Sequence, residues 1–144
     1  MKTKRILAFL MALICLYGSF AFATYASDQD YEEIRASGLI YHYNLAASKK
    51  NSTTLEIEGD TSCDPVVVKC GFKNLKVQRR INSSSSWSDY YDYGNVYYDS
   101  CAAAIGRDLP VDPGYQYRII CKHYAKKNIL NTQTISNTSN IVTF

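Results

Sequence analysis

Apolar and polar residues alternate with a period of two along much of the chain, which is the pattern of half-buried β-strands. The clearest example is residues 115–124, where tyrosine, isoleucine and cysteine alternate with basic and polar side chains. Short strands at intervals of about 8–12 residues, without a helical period, predict an all-β antiparallel sandwich of about seven strands. The predicted strands are residues 39–45, 55–58, 66–68, 75–80, 96–104, 115–124 and 135–144.

Two turn signals refine this prediction. Gly94-Asn95, between tyrosine- and aspartate-rich segments, predicts a hairpin over residues 90–98. Pro113-Gly114 predicts a tight turn, since proline pre-sets φ and glycine tolerates the positive φ that follows. Val111 before that turn and Tyr117 after it match the tyrosine corner of β-sandwiches, in which the phenol oxygen bonds back to the chain that crosses between sheets.

The N-terminus has the composition of a secretory signal peptide. Three basic residues within the first five precede an apolar run over residues 6–16, and small residues allow cleavage after Ala23 or Ala26. The rival interpretation is an uncleaved membrane anchor, but Gly18 and Ser19 interrupt the apolar stretch and no stop-transfer pattern follows. We therefore predict a secreted protein that has no stable membrane span after cleavage.

The predicted domain organisation follows from this signal. Residues 1–26 form the signal peptide, residues 27–37 an acidic N-terminal arm, and residues 38–144 a single β-sandwich domain.

The signal peptide also carries the excess positive charge. The chain has 16 lysines and arginines against 13 acidic residues, and three of the basic residues lie within residues 1–26. The processed chain then has 13 of each, a net charge near zero. A nucleic-acid partner is excluded on this ground, because binding to phosphates needs a basic surface.

Four cysteines remain after export, an even number that predicts disulfide bonds in an oxidising compartment. We favour Cys63–Cys70, closing a loop that turns at Asp64-Pro65, and Cys101–Cys121, which flank the corner. The second bond would stabilise the fold by about 3 kcal/mol in the chain-entropy model. The alternative pairing is Cys70–Cys121 with Cys63–Cys101.

Several short motifs resemble known proteins. Residues 109–119 with Ser139–Phe144, and Lys76–Arg80 with Trp87, look like strand pairs of fibronectin type III or immunoglobulin-like domains. The chain as a whole resembles a family of small exported proteins of Gram-positive anaerobic bacteria, known only as a domain of unknown function. The shared segments are Leu55–Thr61, Gln78-Arg79 with Trp87, and residues 114–118. The resemblance implies a β-sandwich and no activity, and the four cysteines depart from that family.

The pattern of reactive residues does not predict an enzyme. His42 and His123 are the only histidines, no nucleophile motif accompanies them, and the aspartates Asp89, Asp92 and Asp99 read as solvated residues. The cysteines lack the Cys-x-x-Cys spacing of a zinc site. We therefore predict no catalytic residues, no metal and no cofactor.

An aromatic cluster over residues 87–98 is the most suggestive functional feature. Trp87, Tyr90, Tyr91 and Tyr93 are candidate ligand-binding residues, because exposed tyrosine and tryptophan mark protein or sugar recognition. The alternative, which we favour for most of them, is that they fill the core or pair across strands. The predicted function is a non-enzymatic binding module for a cell-surface glycan or protein; the alternative function is a secreted antagonist, such as a bacteriocin-like toxin or an inhibitor.

Overall fold

A computed structural model of the protein describes residues 38–144, so the predicted signal peptide and acidic arm lie outside the described residues. The described part is all-β and consists of two antiparallel sheets packed against each other, which confirms the predicted fold class. Its eight strands are β1 (Ile40–Asn51), β2 (Thr54–Cys63), β3 (Lys69–Arg80), β4 (Ser88–Tyr98), β5 (Ala102–Pro110), β6 (Gln116–Lys126), β7 (Thr132–Thr138) and β8 (Val142–Thr143).

One sheet has three strands in the order β1-β2-β5, and the other has five. In the larger sheet, β4, β3, β6 and β7 are neighbours in that order, and the short β8 pairs with the beginning of β6. The predicted strand over residues 135–144 is therefore divided in two. The division falls at Ser139, whose hydroxyl accepts a hydrogen bond from the backbone N–H of Ile119 and donates one to the carbonyl of Asn140.

The alternation of the strands places one face of each sheet in a common core. In β6, five alternate residues face inward and are buried: Tyr117, Ile119, Cys121, His123 and Ala125. In β2 the inward positions include Leu55 and Ile57, which are fully buried. Burying a large apolar side chain contributes about 1.5–3 kcal/mol, so this shared core is the main source of stability.

A bulge in β3 allows residues on both sides of it to face the core. Phe72 and Leu75 are both fully buried although they lie three residues apart, which a regular strand does not allow. The register with β4 and β6 shifts between these two residues, and Asn74 has a positive φ of 51°. The Asn74 N–H donates to the side-chain oxygen of Asn95 across the strand pair, 2.9 Å away.

The predicted hairpin over residues 90–98 is wrong, because β4 continues through Gly94-Asn95 without turning. Gly94 has a φ of 69° and lies opposite Leu75 at the bulge. Gly94 thus adopts its positive φ within a bulge, and the side chain of Asn95 binds the neighbouring strand at Asn74. Neither residue takes part in a chain reversal. The chain reverses instead at residues 99–101, before β5.

The turn at Pro113-Gly114 carries the interaction that the sequence suggested for Tyr117. Its hydroxyl accepts a hydrogen bond from the N–H of Asp112 at 3.0 Å and donates one to the carbonyl of the same residue at 2.9 Å. Gly114 has a φ of 84°, as the turn requires. The ring of Tyr117 is fully buried and meets that of Phe144 edge-on, at 5.6 Å between centroids.

Two side-chain amides of the five-stranded half, one in β7 and one between β7 and β8, bind the edge strand β1 of the other sheet. Asn140 accepts a hydrogen bond from the N–H of Ala47 in β1 and donates one to the carbonyl of the same residue, at 2.9 and 2.8 Å. Gln133 in β7 accepts from the N–H of Ile40 at 2.8 Å. These bonds occupy backbone groups along the edge strand β1 that would otherwise be open to another chain.

None of the four described cysteines is bonded to another. Cys63, Cys70 and Cys101 lie together at one end of the sandwich: the thiols of Cys63 and Cys70 are in hydrogen-bonding contact, and the Cys63 N–H donates to the Cys101 carbonyl at 2.8 Å.

Cys121 lies apart from that group. Cys70 is opposite Ala125, four residues from Cys121 along β6, a separation of about 13 Å. A disulfide needs Cα atoms within about 7 Å, so the predicted Cys101–Cys121 bond and the alternative Cys70–Cys121 bond are both wrong. The reason is that the fold-back at the corner aligns β6 with β3, not with the start of β5.

Candidate functional site

The outer face of the five-stranded sheet contains a shallow groove of about 690 Å³. Four strands supply its walls: β3 and β4 lie on one side, β6 lies in the middle, and the end of β7 lies opposite. Its polar lining residues include Lys76, Gln78, Asp89, Asp92, Lys122 and Asn137. All except Asn137 belong to the polar half of a strand whose other half fills the core, so the fold itself gathers them on one surface. Asn137 is opposite the buried Cys121, and its side chain reaches inward to His123.

A chain of hydrogen bonds and ion pairs crosses this face from β6 to β4. The guanidinium of Arg118 donates two bonds, at 3.0 and 2.9 Å, to the side-chain oxygen of Gln78. The amide nitrogen of Gln78 donates to Asp89 at 2.9 Å, and Lys76 donates to the other oxygen of Asp89 at 2.7 Å. Lys76 also lies 3.3 Å from Asp92. Every one of these side chains is therefore held in a defined position before any ligand arrives.

Strand register explains this order. Gln78 is directly opposite Arg118 on one side and Asp89 on the other, and Lys76 is opposite Asp92. Directly opposite residues have Cβ atoms about 4.5–5.5 Å apart, which suits charged and amide side chains of these lengths.

Both negatively and positively charged side chains line the groove. Hydrogen bonds from Gln78 and Lys76 hold the pKa of Asp89 below its usual value. Hydrogen bonds to Asp89 and Asp92 raise the pKa of Lys76. At neutral pH the groove thus presents alternating acceptors and donors rather than a field of one sign.

Trp87 adjoins one end of this chain. The guanidinium carbons of Arg80 and Arg118 lie 4.4 and 4.3 Å from its ring centroid, a cation–π arrangement. Arg80 is itself fixed by donating to the side-chain oxygen of Gln116 at 2.8 Å. The half-buried indole is therefore a rigid part of the same surface.

The structure separates the tyrosines of the candidate set from Trp87. Tyr90 packs edge-on against the buried Tyr117, and its hydroxyl donates to the carbonyl of Pro110 at 3.1 Å. Tyr91 and Tyr93 contact each other, with ring centroids 4.6 Å apart, and Tyr93 packs partly against the core. Trp87 thus belongs to the outer face, and Tyr90 and Tyr93 belong to the margin of the core.

Sequence reasoning missed most of the groove, which is lined by lysine, glutamine, aspartate and asparagine rather than by the tyrosines. A usable signal existed in the polar half of two strands: Lys76, Gln78 and Arg80 in β3, and Gln116 and Arg118 in β6. Those residues are informative only if β3 and β6 are neighbours, and the sequence does not show which strands pair.

His123 lies beneath the groove and is fully buried. Its Nδ1 is 2.7 Å from the hydroxyl of Thr61 in the other sheet, and its Nε2 is 3.3 Å from the side-chain nitrogen of Asn137. Burial lowers the pKa of His123 to about 4, so the ring is neutral. With both nitrogens occupied inside the core, this histidine connects the two sheets and is inaccessible to a substrate.

Within residues 38–144, no group of three or more histidine, cysteine, aspartate or glutamate side chains is arranged to hold a metal ion. The same residues contain no helix long and apolar enough to cross a membrane. No protein-family model, no curated protein and no solved structure matches the chain.

Proposed function

We propose that the protein is an exported, non-enzymatic binding module, and that the groove on the outer face of the five-stranded sheet is its binding surface. The observation that carries this proposal is the chain from Arg118 through Gln78 and Asp89 to Lys76. Holding these four polar side chains in one hydrogen-bonded array costs side-chain entropy, and on a solvated surface it returns little stability. An array of this kind is useful for recognising a ligand, because its ordering cost is met before binding.

The chemistry of the groove favours a hydroxyl-rich ligand, namely a cell-surface glycan. Sugar hydroxyls both donate and accept hydrogen bonds, and the groove offers carboxylate acceptors at Asp89 and Asp92 beside donors at Lys76 and Lys122. The mixed charge disfavours a strongly anionic polymer, and the open shape suits an extended chain better than a small enclosed molecule.

A glycan array probed with the purified protein, followed by calorimetry on the best ligand, tests this function. Asp89→Ala should weaken binding at least about tenfold, since a hydrogen bond to a charged group is worth about 1.5–3 kcal/mol. The matched control is Asp108→Ala, which removes an exposed carboxylate ion-paired with Lys50 on the three-stranded sheet. Equal glycan affinity of the Asp89→Ala and Asp108→Ala variants would rule out the glycan groove. So would an unmodified protein that binds none of the arrayed glycans and binds only proteins on a parallel array of cell-surface proteins.

Export is the second part of the proposal, and it rests on residues 1–26. Mass spectrometry of protein recovered from the culture medium should find an N-terminus at Thr24 or Ser27, following cleavage after Ala23 or Ala26. Protein that stays in the cell with Met1 intact would contradict export.

We propose that Cys63 and Cys70 become a disulfide in the exported protein. Their thiols are already in contact, and the backbone between them reverses through a turn in which Val67 donates to the carbonyl of Asp64 at 2.9 Å. Burial raises the pKa of Cys63 to about 12, so the folded thiol is largely protonated at neutral pH. Non-reducing peptide mapping should recover a Cys63–Cys70 disulfide and a free Cys121. A Cys63–Cys101 disulfide would contradict the proposal.

The fold relationship is also proposed on structural grounds. The strand order β1-β2-β5 against β4-β3-β6-β7 supports an immunoglobulin- or fibronectin III-like sandwich. So does the hydroxyl of Tyr117, which bonds to Asp112 where the chain crosses from β5 to β6. Membership of the suggested family of exported Gram-positive proteins is proposed on the sequence segments alone, namely Leu55–Thr61, Gln78-Arg79 with Trp87, and residues 114–118. An experimental structure superimposed on such domains strand by strand tests this relationship.

A further inference from the structure

One end of the sandwich carries large apolar side chains that nothing in the described structure covers. The β6–β7 hairpin ends in Ile129 and Leu130, whose exposed fractions are 87% and 96%. Beside it, the β2–β3 loop exposes Val66 and Val68 at 48% and 57%. The Val68 N–H donates to the carbonyl of Lys126 at 2.9 Å, so the two loops lie side by side and form one surface, here called the apolar end.

Both loops are held in fixed turns that point these side chains outward. In the hairpin, Asn128 accepts hydrogen bonds from the N–H groups of Leu130 and Asn131, and the Lys127 N–H donates to the carbonyl of Asn131 at 3.0 Å. In the other loop, Asp64 accepts from the N–H of Val66 at 2.9 Å. Loop tips are usually polar, so apolar side chains held outward by rigid turns mark a surface for contact.

The charges around the apolar end are positive on balance. Lys126 and Lys127 lie at the base of the hairpin, and the ion pairs found among residues 38–144 include neither of them. The acidic groups nearby are engaged: Asp99 pairs with Lys69 at 3.0 Å, and Asp64 binds the loop backbone. Two basic side chains thus flank the protruding apolar tip.

We propose that the apolar end docks into the headgroup region of an anionic phospholipid bilayer. Ile129 and Leu130 would enter the boundary between headgroups and acyl chains, while Lys126 and Lys127 would meet lipid phosphates, the division of labour seen in interfacial membrane binding. A convex tip of two side chains suits this role better than a protein partner, which requires a larger complementary surface.

Docking at this end is independent of the groove, which lies on the face of the sheet. It would hold the protein at a membrane while leaving the groove accessible. Because only a few apolar side chains and two lysines contribute, the contact is weak and reversible, and a second contact through the groove would strengthen it by raising the effective concentration.

Vesicle co-sedimentation of the exported protein tests the proposal, with its N-terminus first checked by mass spectrometry. The vesicles are phosphatidylglycerol mixed with phosphatidylcholine, and phosphatidylcholine alone. We expect binding to the anionic vesicles, at least about tenfold weaker binding to the neutral ones, and weakening as salt is raised. The double variant I129S/L130S should lose about tenfold or more in affinity, and K126Q/K127Q should lose the preference for anionic lipid.

Matched controls keep the result specific. Ile141→Ser changes an apolar side chain that is 49% exposed beside β8, away from the apolar end, and should bind vesicles as the unmodified protein does. Asp89→Ala should also bind vesicles normally, which separates failure of this proposal from failure of the glycan groove. Unchanged binding by I129S/L130S, with its thermal midpoint unchanged, or no binding to either vesicle, would overturn the proposal. Release of an entrapped dye from the vesicles, at protein concentrations that give docking, would contradict simple docking and indicate a membrane-lytic antagonist.

Discussion

Strands β3 and β6 lie side by side in the five-stranded sheet, and their two faces differ in almost every respect. The inner face carries Phe72, Val77 and Ile119, which are fully buried, whereas the outer face carries Gln78 and Arg118 in a hydrogen-bonded array. The same backbone register thus aligns the core on one side and the candidate site on the other. A slip of one residue would exchange the two faces, so the stability of the core also holds the groove in position.

The largest expected effect comes from breaking the inner face. Phe72→Ala removes a fully buried ring that touches His123 in the middle of the sandwich, and it should lower the free energy of unfolding by about 3–5 kcal/mol. The matched change on the outer face is Lys122→Ala, expected to stay within about 0.5 kcal/mol. Urea unfolding followed by tryptophan fluorescence measures both, and similar losses would contradict the assignment of the two faces.

Acid should weaken the inner face selectively through His123. Its pKa is about 4 in the folded protein against an ordinary value of 6.5, so the unfolded chain binds the proton more readily. The stabilisation is complete above pH 6.5 and is lost as pH falls towards 4, to a total of about 3 kcal/mol. Urea unfolding from pH 7.5 to 4 measures this loss, and NMR should find the His123 ring untitrated above pH 5. Titration near 6.5 would contradict its burial.

Removal of one hydroxyl at the corner should have a smaller effect. Tyr117→Phe keeps the buried ring but leaves the N–H and carbonyl of Asp112 without their partner, at a cost of about 1–3 kcal/mol. Tyr115→Phe, two residues earlier in the chain, is the control and should lower the free energy of unfolding by less. Thermal unfolding compares them; an equal effect would show that the corner bond is not special.

The smallest effect on stability is expected in the groove, where we predict the largest effect on binding. Gln78→Ala interrupts the array between Arg118 and Asp89, and an exposed polar contact of this kind contributes at most about 1 kcal/mol to stability. Glycan affinity should fall nonetheless. A variant that loses stability and keeps affinity would show that the array serves the fold rather than recognition.

Local rules predicted the features that depend on neighbouring residues. Alternation identified the strands around Leu55, Leu75 and Tyr117, and the Pro113-Gly114 turn was visible in the residues themselves. Local rules failed at Gly94-Asn95, where the same residue types serve a hairpin turn or a bulge equally well. The choice depends on the bulge at Asn74 in the neighbouring strand, which no local window contains.

The candidate site shows the same division. Trp87 was singled out as an aromatic residue and does lie on the outer face, but Tyr90 was grouped with it only because the two are close in sequence. Lys76, Asp89 and Arg118 come from three strands, and each is an ordinary polar strand residue when seen alone. Their array exists because strand order makes them neighbours, and strand order depends on long-range pairing.

By itself, the sequence determined the fold class, the corner and the polar and apolar faces of regular strands such as β2 and β6, because side-chain alternation and turn chemistry act over a few residues. Only the tertiary structure decided which cysteines meet, which polar faces join into a groove and which end of the sandwich exposes Ile129 and Leu130. Those outcomes depend on strand order and register, which are selected by burying the whole core at once.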